Sequence, residues 1–255
     1  MSQPRAIITR PAREAGRWVD DLRAAGVDAV ALPLIAINGL DDSAPLLRAV
    51  RHLADYDALM FVSAPAVAYF FRAAGERRVV ARCWATGPGT VRALREAGVA
   101  EAAIDAPPAD ATQFDSEALW ARVRPQVKPG TRVLIVRGAD AAGQVAGRDW
   151  LAHEIAAAGG RCDNVAAYRR LPATFGDAER LLATRAAADG TIWLFSSSEA
   201  LACLRASMPG ADWHAACALA THPRIADAAR AAGFGRVRVC RADLPAMIAS
   251  IESFA

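Results

Sequence analysis

Lysine is nearly missing from this chain: Lys128 is the only one among 30 Lys and Arg residues. A GC-rich coding bias explains that and the abundance of alanine together. The alternative is a chemical use, because the guanidinium fork pairs with carboxylates and phosphates better than an ammonium does. Other absences exclude more. No uninterrupted apolar run approaches the roughly 18 residues that a membrane span requires. The chain does not open on a basic stretch followed by an apolar block, so no signal peptide is expected and the expected compartment is the cytoplasm. The cysteines (Cys83, Cys162, Cys203, Cys217 and Cys240) are odd in number and form no C-x-x-C pair. They read as scattered buried thiols in a reducing compartment. The four histidines (His52, His153, His214, His222) stand apart, with no H-x-x-x-H or H-E-x-x-H spacing, which leaves no histidine-based metal site. There is no G-x-S-x-G elbow for a serine hydrolase. There is no G-x-x-x-x-G-K-[ST] or G-x-G-x-x-G loop for a nucleotide. The net charge of +3, without a basic stripe, does not describe a nucleic-acid binder. Few general bases fall in expected loops. That scarcity points to a reaction governed by positioning and electrostatics rather than by a nucleophile.

What is present is a pattern stated twice. The 255 residues, 54% apolar and 22% charged, make a globular chain with room for one large or two ordinary domains. Phe61-Val62-Ser63-Ala64-Pro65-Ala66-Val67 returns as Phe195-Ser196-Ser197-Ser198-Glu199-Ala200-Leu201. Ala85-Thr86-Gly87-Pro88 returns as Ala220-Thr221-His222-Pro223, and Ile7-Ile8-Thr9-Arg10-Pro11 is echoed by Leu134-Ile135-Val136-Arg137-Gly138. The offset is 134 from Phe61 to Phe195 and 135 from both Gly98 to Gly233 and Asp28 to Asp163. It falls to 127 from Arg10 to Arg137, so the second copy carries a longer stretch, Gly138 to Gln144, before its helix.

Apolar runs and punctuation predict strands over 5–9, 57–62, 79–85, 131–136, 162–168, 191–195, 215–220 and 237–240, with an extended 27–37 broken at Pro33. They predict helices over 11–25, 43–53 (Ser43 as N-cap), 66–74, 90–97, 116–124, 150–158, 178–188, 199–207, 225–232 and 245–253. Alternating strands and helices imply parallel sheets covered on both faces. The expected fold is α/β, as two similar lobes each with a parallel sheet and helices on both faces.

Ligands of open α/β sheets bind where the strands end, so the strand-to-helix turns hold the candidate residues. Ser63 and the Ser196-Ser197-Ser198 run each follow an apolar strand and precede a helix. The first-turn N–H groups there attract anions, and a hydroxyl can cap the helix or meet a ligand oxygen. Thr86-Gly87-Pro88-Gly89-Thr90 reads as a backbone cradle for carboxylates. Arg10, beside Thr9, and Arg137, beside Gly138, end equivalent strands and can each fork onto a carboxylate. Tyr168 ends its strand just before Arg169-Arg170 and Pro172. It reads either as a proton donor to a leaving group or as an aromatic packed at a hinge.

In order and spacing these segments resemble uroporphyrinogen-III synthase, over residues 5 to about 233. The matching stretches are Ile7-Ile8-Thr9-Arg10-Pro11, Tyr56 to Val67, Thr86 to Thr90, Asp115-Ser116-Glu117-Ala118-Leu119, Val133 to Gly138, Ala167-Tyr168-Arg169 and Phe195 to Ser198. The resemblance implies lobes of 1–35 plus 172–255 and of 38–168, joined by a two-stranded connector with its hinge at about 34–38 and 168–172. It implies a cofactor-independent lyase that closes hydroxymethylbilane, a linear tetrapyrrole with eight carboxylates, in a cleft between the lobes. Water is lost, and the last pyrrole ring is inverted through a spiro intermediate. By that resemblance Tyr168 assists departure of the hydroxyl. Thr9, Arg10, Ser63, Thr86, Gly87, Thr90, Ser116, Arg137, Gly138, Ser196, Ser197 and Thr221 bind substrate. No metal or organic cofactor is needed, and a monomer with no nucleic-acid or membrane partner is expected. The alternative is a non-catalytic relative that binds a tetrapyrrole or another anion as a sensor module; a secreted solute-binding protein is disfavoured by the missing signal peptide. Two positions depart from the family pattern. His222 stands where glycine is usual, and Pro65 where asparagine is common.

Overall fold

The computed structural model describes residues 5–108, 110–111, 113–145 and 149–254; the outer ends of the first expected lobe, 1–4 and 255, lie outside them. The elements in chain order are β1 (Ala6–Ile8), α1 (Ala12–Ala24), β2 (Ala29–Ala31), β3 (Ile35–Asn38), α2 (Ala44–Arg51), β4 (Ala58–Phe61), α3 (Ala64–Ala74), β5 (Arg82–Ala85), α4 (Pro88–Glu96) and β6 (Ile104–Asp105). The second half contains α5 (Ser116–Val123), β7 (Arg132–Ala139), α6 (Trp150–Ala157), β8 (Arg161–Pro172), α7 (Asp177–Ala188), β9 (Ile192–Phe195), α8 (Ser198–Ser207), β10 (Cys217–Ala220), α9 (Pro223–Ala231), β11 (Arg236–Val239) and α10 (Leu244–Glu252). The chain divides into two compact units, Met1–Ala36 with Leu171–Ala255, and Ile37–Arg170. Among the described residues no helix is long and apolar enough to cross a membrane.

The first unit holds a parallel sheet in the order β2-β1-β9-β10-β11. Strands β1, β9 and β10 are buried along their whole length, which is why they read as continuous apolar runs. Ile8, Leu194 and Leu219 turn to one face and pack with Val19 and Leu22 of α1 and Met247 and Ile251 of α10. Trp193 and Phe195, alternate in the same strand, turn to the other face. There they meet Trp213 and Phe234 with ring centroids 5.3 and 5.4 Å apart, and the Trp193 indole N–H donates to the Ala186 carbonyl of α7. Each fully buried side chain of this size contributes about 1.5–3 kcal/mol.

The second unit repeats the arrangement. Its sheet runs β8-β7-β4-β5-β6 in parallel, with β3 hydrogen-bonded along the outer side of β8. Leu59, Phe61, Leu134 and Val136 pack with α2, α3 and α4, whereas Met60, Trp84, Val133 and Ile135 pack with α5 and α6. Comparing strand orders shows how the duplication folds. β8, β7, β4, β5 and β6 occupy the places of β2, β1, β9, β10 and β11. Each sheet therefore takes its first β-α-β from one sequence copy and its remaining strands from the other. The two copies have exchanged halves, as in a domain swap within one chain.

The departures from expectation have physical causes. β7 and β8 run on to Ala139 and Pro172, beyond the apolar pattern, because Arg137 and Gly138 continue the pairing through a β-bulge. Arg137 pairs with Ala166 and Gly138 with Tyr168, leaving Ala167 as the extra residue. Ser43 is not a side-chain cap. Its backbone is already helical, and Asp42 instead accepts the Ala44 N–H at 2.8 Å. β6 escaped prediction because two residues carry no periodicity. It is held by Asp105, only 6% exposed, which takes a forked pair of hydrogen bonds from Arg82 of β5 at 2.6 and 2.7 Å. Arg82 is 43% exposed, but removing it leaves the buried Asp105 carboxylate uncompensated. Arg82→Met is expected to destabilise the second unit by about 3 kcal/mol, read from denaturant unfolding; a loss under about 1 kcal/mol would match an exposed pair instead.

Candidate functional site

In a parallel sheet all carboxyl ends of the strands share one edge, and the turns to the following helices gather there. The second unit brings Ser63, Thr86, Gly87, Thr90, Arg137, Gly138 and Tyr168 to that edge. Ser63 is the N-cap of α3 and accepts the Ala66 N–H at 3.3 Å. The Thr86 hydroxyl donates to the Val62 carbonyl at 3.3 Å, tying the turn after β5 to the turn after β4. Gly87 is the N-cap of α4, with no side-chain acceptor on the first turn, and Thr90 is buried within that turn. A Cβ on Gly87 would lie 3.2 Å from Phe114, which brings the segment leading to Asp115, the N-cap of α5, and Ser116 against the same turn. Pro65 sits in the first turn of α3, where its missing N–H costs nothing.

The first unit carries the counterparts. Ser197 caps α8 as Ser63 caps α3, accepting the Glu199 N–H at 3.1 Å, with Ser196 just before it. His222 occupies the cap of α9 that Gly87 occupies in α4, and its Nδ1 accepts the Arg224 N–H at 3.1 Å. His222 thus caps the helix, and this requires that Nδ1 carry a lone pair. Thr221 precedes that cap, its N–H bonded to the Phe195 carbonyl at 3.1 Å. Thr9 is buried at the end of β1, its hydroxyl donating to the Leu194 carbonyl at 2.7 Å. Of the helices that follow β4, β5, β9 and β10, α4 alone presents a first turn without a side-chain cap bond, which leaves the N–H groups of its first turn open to an anion.

The arginines are less free than their sequence positions imply. Arg10 pairs with Glu14 at 3.2 Å and lies over the Trp18 ring. Arg137, only 4% exposed, pairs with Asp149 at 3.2 Å, and Asp149 itself is 66% exposed. Each guanidinium therefore has an acid within its own unit, with which a ligand carboxylate competes. Nothing in the local sequence signalled Asp149. The thiols offer no nucleophile. Burial pushes Cys83 up to about 12 and Cys162 and Cys240 up to about 11, against the opposing pull of Arg82, Arg137 and Arg10 respectively. All five cysteines are free, and Cys83, Cys162 and Cys240 are essentially protonated at neutral pH.

Tyr168 is 3% exposed and packs in the core of the second unit. The bulge turns its side chain to the same face as Val165, and the ring lies across Gly138. A Cβ there would come within 2.7–2.9 Å of Cζ, Cε2 and the hydroxyl oxygen. That oxygen is 3.1 Å from Ser63 Oγ, across 105 residues of chain, and the Tyr69 ring lies 6.0 Å away, centroid to centroid.

The model of the uroporphyrinogen-III synthase (HemD) family matches residues 16–249. The chain belongs to the uroporphyrinogen-III synthase family. Among solved structures it is similar to a mutant uroporphyrinogen III synthase from the extremely thermophilic bacterium Thermus thermophilus, at 20% identity and a TM-score of 0.56, over 97% of this chain and 96% of that one. It is also similar to the uroporphyrinogen-III synthetase of Helicobacter pylori 26695, at 12% identity and a TM-score of 0.62, over 99% and 100%. At such identities the likeness establishes the two-domain α/β synthase fold.

The contact of Gly138 with Tyr168 yields a stability test within this family fold. Gly138→Ala forces the phenol ring off its seat and is expected to cost about 1–3 kcal/mol, as overpacking does. Thermal unfolding would show it, and an unchanged melting temperature would mean that the ring has room to move.

Proposed function

We propose that this chain catalyses the family reaction, the dehydrative closure of hydroxymethylbilane to uroporphyrinogen III with inversion of the last pyrrole ring. The single observation that carries this is the family match over residues 16–249. The substrate bears eight carboxylates, and each unit presents a strand edge of helix N-termini and small hydroxyls suited to anions. Holding a flexible polyanion in one reactive geometry converts ring closure into a positioned unimolecular step. Thr9, Arg10, Ser63, Thr86, Gly87, Thr90, Ser116, Arg137, Gly138, Ser196, Ser197 and Thr221 are the groups we assign to binding and shaping that edge.

At the reacting end, the hydroxyl of the hydroxymethyl group departs as water and needs a proton as its C–O bond breaks. Tyr168 is the residue we assign to that assistance, as a hydrogen-bond donor whose phenol is held in place before substrate arrives. No metal, organic cofactor or nucleic-acid partner enters this scheme. Both copies of the duplicated edge reside in one chain, which supports a monomer as the working unit. The proposed compartment is the cytoplasm, in keeping with five free thiols.

The test is incubation of the protein with hydroxymethylbilane and chromatographic separation of the isomers. Uroporphyrinogen III is expected; the uninverted isomer I alone, which forms spontaneously, would instead mark a tetrapyrrole-binding relative without activity. Tyr168→Phe is expected to lower kcat by about 100-fold while leaving the fold intact. A wild-type rate in that variant would make Tyr168 a packing residue only.

A further inference from the structure

We propose that Ser63 is the positioning residue for Tyr168, coupling the phenol to the N-terminus of α3. This rests on the reading of Tyr168 as the group that assists departure of the hydroxyl. Ser63 Oγ lies 3.1 Å from the Tyr168 hydroxyl and 3.3 Å from the Ala66 N–H that it accepts. A hydroxyl has one proton to donate and two lone pairs. With one lone pair committed to Ala66, Ser63 still has its proton to donate to the phenol oxygen. That donation fixes the direction of the phenol and stabilises the charge that grows on its oxygen as its proton moves toward the leaving group. The positive end of the 11-residue helix α3 acts in the same sense.

Two observations separate this role from helix capping. The ring is confined, with Gly138 beneath it and Tyr69 alongside, so the contact with Ser63 is a fixed feature of the core. The duplication also supplies an internal control. Ser197 stands at the equivalent position and caps α8 through the Glu199 N–H. The strand register that sets Ala6 opposite Ala29 and Val133 opposite Cys162, carried forward to Gly138 opposite Tyr168, places Leu34 where Tyr168 stands, so that copy has no phenol to position. Capping by this serine is thus complete without a tyrosine. The bond to Tyr168 is an addition made in one copy only.

Ser63→Ala removes the hydroxyl. Ser63→Gly removes it while keeping a residue favoured at N-caps, which guards against simple misfolding. Ser63→Thr restores it. Each is made in the wild type and with Tyr168→Phe. Steady-state rates with hydroxymethylbilane are measured, together with the 13Cζ resonances of labelled tyrosine, Tyr168 being assigned by its loss in Tyr168→Phe. Ser63→Ala and Ser63→Gly are expected to lower kcat about tenfold. Ser63→Thr is expected to recover most of the rate. With Tyr168→Phe present, loss of the hydroxyl is expected to cost less than about twofold more, since coupled residues are not additive. The Tyr168 resonance should move in Ser63→Ala and Ser63→Gly and return in Ser63→Thr. Equal rate losses in both backgrounds, or an unmoved Tyr168 resonance, would overturn the proposal. Should Tyr168→Phe itself be fully active, the reading of Tyr168 falls and this proposal falls with it. If Tyr168→Phe is slow and Ser63→Ala is not, this proposal falls alone.

Discussion

The constraint on which the rest depends is the pairing of β1 with β9 and of β7 with β4. In both cases a strand from one copy of the duplicated sequence hydrogen-bonds to a strand from the other. Ala6, Ile7 and Ile8 lie in register with Ile192, Trp193 and Leu194 across more than 180 residues, and Ala58 to Phe61 lie in register with Val133 to Val136. These junctions are central and fully buried, so neither copy can close a sheet with its own strands. The chain consequently crosses between its units at Ala36/Ile37 and again at Arg170/Leu171, and each unit is stable only once distant segments have met. Long-range pairing of this kind is entropically costly and slow to form. In return, each cross-copy junction brings together turns that are far apart in sequence. Thr9 comes to lie beside Leu194, and Ser63 beside Tyr168.

That juxtaposition is also where the chemistry differs from most enzyme sites. The strand edges hold capped helix N-termini, hydroxyls bonded to carbonyls, and two arginines already paired with acids. Cys83, Cys162 and Cys240 are not activated, because burial keeps these thiols protonated near neutral pH. Groups of this kind bind and orient. They suit a family reaction whose difficulty lies in selecting one folded geometry of a reactive chain rather than in making a strong nucleophile.

Much of the fold was legible because it rests on local periodicity. Fully buried strands such as Ile192–Phe195 read as apolar runs, and Gly26, Gly98 and Gly233, all at positive φ, mark where helices stop. The repeat offset of 134–135 also relates the caps, since Ser63 and Ser197, and likewise Gly87 and His222, are N-caps in equivalent places. What stayed hidden has no local signal. β6 is too short for a period. The bulge at Ala167 depends on whether Gly138 lies opposite. The partners of Arg10 and Arg137 depend on rotamers, and the bond from Ser63 to Tyr168 joins residues that only the folded sheet brings together.

The differences between the two copies carry more information than the likenesses. By the strand register, Pro11 and Pro33 of the first copy correspond to Gly138 and Ala166 of the second, and Leu34 to Tyr168. Proline has no N–H to give a ladder, and it ends strands. Accordingly β1 stops at Ile8 and β2 at Ala31, whereas β7 reaches Ala139 and β8 reaches Pro172. The copy without these prolines has the longer strand pair, and its bulge sets the Tyr168 phenol on Gly138 beside a helix N-terminus. A duplicated scaffold supplies equivalent anion-binding turns, which suits a substrate with carboxylates along its whole length. The proposed bond cleavage occurs at one end of that substrate only. A symmetric pair of edges cannot favour one end, so the asymmetry must come from residues that the duplication did not preserve, and the Gly138–Tyr168–Ser63 contact is the structural difference that fits this requirement.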